Sequence, residues 1–322
     1  MEIHTTSKNK LRIVFMGTPD FAVGSLKAVL DAGFEVVGVI TAPDRPAGRG
    51  RKLQESAVKS FALERGLKVM QPTNLKNEEF IKELAQLNAN LQVVVAFRML
   101  PEVIWSMPTF GTFNLHASLL PQYRGAAPIN WAIINGETET GVTTFFIDDK
   151  IDTGHIILQK SEPIYLEDNA GTLHDRLMLV GSELVVETCQ QIVSDQVTST
   201  PQKDATAIKP AHKIDRETCK IDWTASMEQI HNHIRGLSPY PAAWSQLINN
   251  KEEANIKIYK SEIELAKHTY MVGKLFPEKK GLKVAVEGGY LHLLEVQLPG
   301  KRRMEIGEVL NGLSLDNEAH LR

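Results

Sequence analysis

Asn114 and His116 stand two residues apart in the stretch GTFNLHASLLPQYRGAAP, residues 111–128. Thr112 to Leu115 is short, apolar and partly β-branched, the composition of a buried strand. Side chains two apart on a strand share a face, so an amide and an imidazole converge at the strand's end. An amide can stabilise charge on a reacting oxygen, and an imidazole exchanges protons near neutral pH. Taken singly, His116 reads as a hydrogen-bonded structural histidine and Asn114 as a strand-end cap. Asp152 shifts the balance towards chemistry, because Thr153-Gly154 turns the chain tightly beside its carboxylate. The surrounding run DDKIDTG, 148–154, lacks the ligand spacing and closing Glu of a calcium loop, and Asp148 and Asp149 suit a plain turn.

A second chemistry is electrostatic. Thr41 to Leu53 (TAPDRPAGRGRKL) carries two prolines, two glycines and the cations Arg45, Arg49, Arg51 and Lys52. It cannot pack as a core and is expected as an exposed, mobile loop following a strand, where loops overhang the ligand crevice of a doubly wound sheet. That position favours contact with phosphate over a merely solvated loop. Lys301, Arg302 and Arg303 form a second basic cluster between β segments, either a solvated turn or a set of phosphate contacts.

The elements that must position these groups follow from periodicity. Leu11 to Met16, Glu35 to Thr41, Leu67 to Gln71 and Leu91 to Phe97 read as strands, with helical patterns at Asp20 to Leu30, Ser56 to Arg65 and Asn77 to Leu87. Thr18-Pro19 reads as the N-cap and first residue of the first helix. Alternation of this kind predicts an α/β fold with a doubly wound, mostly parallel sheet. Further strands are expected at Gly141 to Ile147 and His155 to Leu158, and helices at Ile129 to Ile134 and Ala170 to Ile192. The turn GTPDFAVG is neither GxGxxG nor a Walker loop, which argues against a nicotinamide or ATP site. Ser226 to Gln229 resembles a capping box, and the short alternating segments after Trp244 suggest a small β-barrel. The expected organisation is a disordered 1–10, a catalytic domain over 11–195, a linker over 196–210 and a barrel over 211–322.

Length and composition, 322 residues at net charge −3, suit a two-domain globular protein. The charge is uneven, 18 basic against 23 acidic residues up to position 200 and 18 against 16 beyond it, weak support for a polyanionic partner. The two cysteines, Cys189 and Cys219, form no CxxC, which points to a reducing compartment and away from a cysteine metal site. Neither a signal peptide nor a membrane span is expected, and the chain reads as cytoplasmic.

At HASLLPQYRGAAPINWAIINGETETGVT the chain resembles the methionyl-tRNA formyltransferase family, and the similarity runs nearly end to end through FMGTPDFAVGSL, TAPDRPAGRGRKL, IDTGHII and RGLSPYPAAW. The N-terminal part is similar to the wider folate-dependent formyltransferase group. The resemblance implies Asn114, His116 and Asp152 as the catalytic set, 10-formyltetrahydrofolate as donor, and Ser118, Leu119, Leu120 and Pro121 as the folate-contacting segment. It implies initiator methionyl-tRNA as acceptor, bound by the basic loop at Arg49 and by an OB-like C-terminal barrel. No metal and a monomeric enzyme are expected. One departure is AFRMLP, Ala96 to Pro101, where relatives often read AYGLILP. With no Ser or Cys paired to the catalytic set, direct attack by the amine is expected, and the residues leave open whether His116 or Asp152 takes its proton. A formyltransferase acting on a sugar-nucleotide amine and a non-catalytic RNA-binding module are the competing readings.

Overall fold

The nearly unbroken apolar run at the start of the chain is stable as a strand only where both faces are covered. Its strand, β1 (Arg12–Gly17), accordingly lies third in a seven-stranded sheet. The computed structural model describes residues 11–47, 52–203, 207–279 and 281–322. After β1 come α1 (Asp20–Asp31), β2 (Glu35–Ile40), the short β3 (Arg45–Ala47) and β4 (Lys52–Gln54), α2 (Ala57–Glu64), β5 (Val69–Met70), α3 (Glu78–Gln86) and β6 (Leu91–Val95). The chain continues with α4 (Glu102–Trp105), β7 (Thr112–His116), α5 (Pro128–Ile134), β8 (Glu139–Phe146), β9 (Ile156–Pro163) and α6 (Ala170–Val193).

The sheet order is β5-β2-β1-β6-β7-β8-β9. The first five strands of that order are parallel and β8 runs antiparallel to β7. Chain direction across the sheet reverses between β1 and β6, so a crevice is expected at their carboxyl ends. One face buries Val14, Met16, Ile40 and Val94 against Phe80, Leu84, Leu100 and Ile104 of the α3 and α4 region. Close approach of α1 to α6 depends on Gly24, where a Cβ would sit 2.9 Å from atoms of Met178 and Ser182. The helix starts are locally specified. Ser56 accepts from Lys59 N and Asn77 from Phe80 N. At α1, however, Pro19 itself occupies the N-cap position with no side-chain cap, one residue later than the Thr18 cap expected from sequence, because the extended Pro19 (ψ 175°) delays the first helical residue to Asp20.

The chain divides into two compact units. The first comprises residues to Gly125, Gly141–Glu162 and His174–Pro210. The second takes Ala126–Thr140, Pro163–Leu173 and Ala211–Arg322. In it, α7 (Met227–Leu237) begins with a complete capping box, Ser226 with Gln229, and buries Met227, Ile230 and Ile234. The strands β10 (Ala243–Asn249), β11 (Glu252–Leu265), β12 (Leu275–Pro277), β13 (Leu282–Val286), β14 (Gly289–Gln297), β15 (Met304–Glu305) and β16 (His320–Leu321), with α8 (Ile306–Leu310) before the last, form an antiparallel sheet in the order β12-β13-β14-β11-β10-β16, with β15 paired to β14 off this order. A bridge between His320 and Lys274 nearly closes it into a barrel. Ile230, Ile234, Ile258, Val284, Leu291 and Val296 fill the interior.

Candidate active site

β7 carries Asn114 and His116 on one face, with Thr112, Phe113, Leu115 and His116 buried and Asn114 partly open. Strand pairing holds that face from both sides, with Asn114 level with Val94 on β6 and with Phe145 on β8. Among the described residues the Asn114 amide has no hydrogen-bond partner, so both its N–H groups are available to an incoming oxygen.

His116 is 7% exposed and its Nε2 lies 2.8 Å from the carbonyl oxygen of Tyr123. A carbonyl can only accept, so Nε2 carries the proton in the neutral ring and Nδ1 keeps its lone pair. Nδ1 faces Asp152 Oδ2 at 3.8 Å, beyond hydrogen-bond distance. The imidazole is therefore oriented by Tyr123, with Nδ1 turned towards Asp152. Tyr123 reaches this position in the left-handed region, φ +59°, with its own N–H donating to the Lys209 carbonyl at 2.7 Å.

Asp152 follows the end of β8 in a turn of φ +55°, and its Oδ2 accepts the Gly125 N–H at 2.9 Å. Thr153 turns its hydroxyl onto Asp148. Gly154 is obligatory, since a Cβ there would meet the Phe146 carbonyl oxygen at 1.7 Å. A residue with no sequence signal completes the turn. Gln202 donates from Nε2 to the carbonyls of Asp152 and Gly154, 2.9 Å each, and its Oε1 accepts from Arg124 Nε at 3.0 Å and Nη2 at 2.5 Å. One fully used amide thus ties Asp152 to the segment that carries Tyr123 and Gly125. The region of Gln202 reads as linker by composition, yet Thr200 also bridges Ile156 on β9.

The segment Ser118 to Pro121 is held from below by two side chains. Thr143 Oγ1 donates to the Ser118 carbonyl at 2.6 Å and accepts from Leu120 N, while Gln159 Nε2 reaches the Leu120 carbonyl at 2.9 Å and Thr143 Oγ1 at 2.9 Å. Ser118 itself is fully buried, and its hydroxyl donates to the Gln122 carbonyl at 2.6 Å. Its side chain is committed to the turn, so what this segment offers a ligand is a rigid edge formed by Leu119 and Pro121.

Of the basic groups, Arg45 lies exposed on β3, which pairs with β4 as a hairpin where sequence predicts an unstructured loop. Arg49 and Arg51 lie outside the described residues, and Lys52 enters as a backbone position of β4. In the barrel, Arg302 pairs with Glu308 at 2.7 Å, and Arg303 pairs with Glu295 and stacks over Tyr259, 4.5 Å to the ring centre. All three residues of the triplet are exposed, and both arginines are engaged by acidic partners. Among the described residues no three His, Cys, Asp or Glu side chains gather as metal ligands, and no helix is long and apolar enough to cross a membrane. Burial pushes the Cys189 thiol up to about 12, which removes it as a nucleophile.

Comparison with known proteins places this geometry. A family model described as formyl transferase matches residues 11–189, and one described as formyl transferase, C-terminal domain, matches 213–314. The methionyl-tRNA formyltransferase of Flavobacterium johnsoniae is 59% identical over 310 residues, covering 96% of this chain and 98% of that protein. That of Bacteroides thetaiotaomicron is 53% identical over 315 residues, with 96% and 98% covered. Among solved structures, WlaRD, a sugar 3N-formyl transferase, matches with a TM-score of 0.64 at 24% identity over 91% of this chain and 99% of that one, a likeness of fold.

Proposed function

The chain belongs to the formyltransferase family, within its methionyl-tRNA formyltransferase branch, and on that premise we propose that it moves a formyl group from 10-formyltetrahydrofolate to the amino group of methionyl-initiator-tRNA, with Asn114, His116 and Asp152 as the groups at the reacting atoms. The observation that carries the assignment of roles is the contact of His116 Nε2 with the Tyr123 carbonyl, which calls for a proton on Nε2 and leaves the Nδ1 lone pair on the side of Asp152.

In this scheme the free amine nitrogen of the methionyl group forms a bond to the formyl carbon, and the formyl oxygen takes up negative charge. Asn114 donates to that oxygen; removing such a donor in comparable acyl transfers costs about 10²- to 10³-fold. His116 Nδ1 takes the proton released by the amine, and the Asp152 carboxylate stabilises the imidazolium that results. Collapse of the intermediate breaks the bond to N10 of the folate, which receives the proton and leaves as tetrahydrofolate. The reaction uses no covalent enzyme intermediate, in keeping with a buried Cys189 and a Ser118 hydroxyl spent on its own turn.

Leu119 to Pro121, stiffened by Thr143 and Gln159, supplies the edge against which the folate donor lies. Arg45, Arg49, Arg51, Lys52 and Lys301 are the groups assigned to tRNA phosphates, with Arg302 and Arg303 contributing only after release of Glu308 and Glu295. An acceptor used in translation supports a cytoplasmic enzyme, and a single chain supplies every group the scheme uses. Incubation with 10-formyltetrahydrofolate and methionyl-initiator-tRNA should yield formylmethionyl-tRNA, with free methionine and elongator methionyl-tRNA poor acceptors. Equal formylation of all three would overturn the assignment of acceptor.

A further inference from the structure

The segment that carries the β3–β4 hairpin leaves the sheet at Thr41, directly after β2, and ends at Ser56, the N-cap of α2. The hairpin has three residues in each strand, and Pro46 withholds a backbone N–H from its ladder. Two strands of that length do not hold a fixed direction by their own pairing. The two ends of the segment are joined instead through side chains. Thr41 Oγ1 lies 2.7 Å from Ser56 Oγ. Lys59, in the first turn of α2, places Nζ 2.5 Å from Asp44 Oδ2 and 2.9 Å from Glu55 Oε1. Asp44 directly precedes β3 and Glu55 directly follows β4, so one ammonium group closes the base of the hairpin.

The joint is anchored on its far side as well. Gln71, just past β5, donates from Nε2 to Asp44 Oδ1 and to the Ala42 carbonyl, 2.8 Å each, which ties the entry of the hairpin to the sheet edge. The Lys59 side chain is only 14% exposed, whereas Arg45 on β3 is exposed. Lys59 is thus set apart from the cations of the hairpin, because its ammonium is spent on two carboxylates of the segment it holds. Its hydrogen bond to Asp44 first, and that to Glu55 second, keep the Lys59 pKa above the ordinary lysine value. The bonds from Lys59 and then Gln71 keep Asp44 below the ordinary carboxylate value, so the joint is fully charged at neutral pH.

We propose that Lys59 is a positioning residue for the tRNA acceptor: it fastens both feet of the β3–β4 hairpin and so fixes the direction in which Arg45 is presented, without itself meeting a phosphate. The inference rests on the acceptor assigned above.

The test measures affinity for methionyl-initiator-tRNA by fluorescence anisotropy over a range of salt, together with amide exchange in β3 and β4 and the KM for each substrate. Lys59→Met should weaken tRNA binding ~10-fold, since the hairpin must then be ordered at the expense of binding. Amide exchange in the hairpin should quicken, and the KM for 10-formyltetrahydrofolate should stay within about twofold. The slope of log affinity against log salt should be unchanged; a fall of about 1 would make Lys59 a phosphate contact and overturn the proposal. Lys59→Met combined with Asp44→Asn restores the net charge of the cluster but not the joint, so it should bind as poorly as Lys59→Met alone, while Lys59→Arg recovers most of the affinity. Recovery in the double variant would mean that Lys59 only masks carboxylates, and a lowered melting temperature with affinity intact would mean that it only stabilises the fold; either overturns the proposal. Should Lys59→Met fail to fold, Asp44→Asn alone decides the matter: a loosened joint predicts weaker tRNA binding, and loss of a negative charge predicts tighter binding. Because binding is read without turnover, a wild-type protein that binds the tRNA yet forms no formylmethionyl-tRNA refutes the activity and leaves the positioning role standing.

Discussion

The carbonyl of Tyr123 accepts from Nε2 of His116 at 2.8 Å and thereby decides which ring nitrogen is free to take a proton. Nitrogen shifts of histidine-labelled protein should report the Nε2–H tautomer for His116. His116→Ala should lower kcat ~10²- to 10⁴-fold, the usual contribution of a positioned acid or base. Finding the proton on Nδ1 instead would exclude His116 as the acceptor and transfer that role to Asp152.

Asn114 offers a cleaner separation of chemistry from folding. Its amide makes no side-chain hydrogen bond among the described residues, so Asn114→Ala leaves no buried partner unsatisfied. The expected outcome is a drop of ~10²- to 10³-fold in kcat with thermal midpoint and folate KM little changed. A variant that folds normally and retains full formyl transfer would sink the oxyanion role.

Gln202 acts through Asp152. Gln202→Ala deprives the Asp152 and Gly154 carbonyls and the Arg124 guanidinium of their shared partner. Loss of stability of about 1–3 kcal/mol is expected, together with a kcat lowered ~10-fold, because a carboxylate displaced by about an ångström no longer meets the proton-accepting ring. The positioning role is distinguished by kcat falling while both KM values hold; a merely structural glutamine would lower the melting temperature and leave kcat per folded molecule intact.

The residues explain why some of this was visible in the chain and some was not. Asn114 and His116 are exposed to reading because a strand's period of two is a local rule, and Thr153-Gly154 signals the turn at Asp152 by composition. Gln202 lies 50 residues from Asp152 in a polar, proline-bounded stretch, and its order comes wholly from long-range contacts with Arg124 and the Asp152 turn. The β3–β4 hairpin was hidden because its strands are three residues each and include Pro46. β9 extends to Pro163, past the apolar Leu158, because an edge strand can carry the polar Gln159 to Glu162 on pairing alone. Charge patterning also leaves unseen the acidic partners of Arg302 and Arg303, because Glu308 and Glu295 stand six and eight residues away.

Gly154 should prove irreplaceable for a steric reason. A Cβ at this position would lie 1.7 Å from the Phe146 carbonyl, and a backbone atom cannot swing aside as a side chain can. Gly154→Ala should cost about 3 kcal/mol or more, or displace the Asp152 turn and abolish turnover. Gly312→Ala is the control, since nothing lies within 4 Å of its added Cβ, and it should melt with the wild type. Equal melting temperatures and activities for both variants would show that the β8 end yields more easily than its packing indicates.

The second unit should carry an acid sensitivity of its own. Burial holds the pKa of His231 and of His233 on α7 below the ordinary histidine value, with Arg235 adding to the shift at His231 and a hydrogen bond to the Cys219 backbone opposing it at His233. Nε2 of His233 is buried and has no hydrogen-bond partner among the described residues, so a proton placed there gains nothing from them. In the unfolded chain both rings titrate near 6.5, so below that pH the unfolded state binds more protons than the folded one and stability falls with acidification. Each ring contributes a slope of up to about 1.4 kcal/mol per pH unit between its unfolded and folded pKa values, and no slope at pH 8. Denaturant titrations from pH 8 to pH 5 should show this loss, and His233→Gln should flatten the curve below pH 6.5 while leaving the alkaline plateau in place. A curve of unchanged steepness in His233→Gln would mean that the sensitivity arises elsewhere.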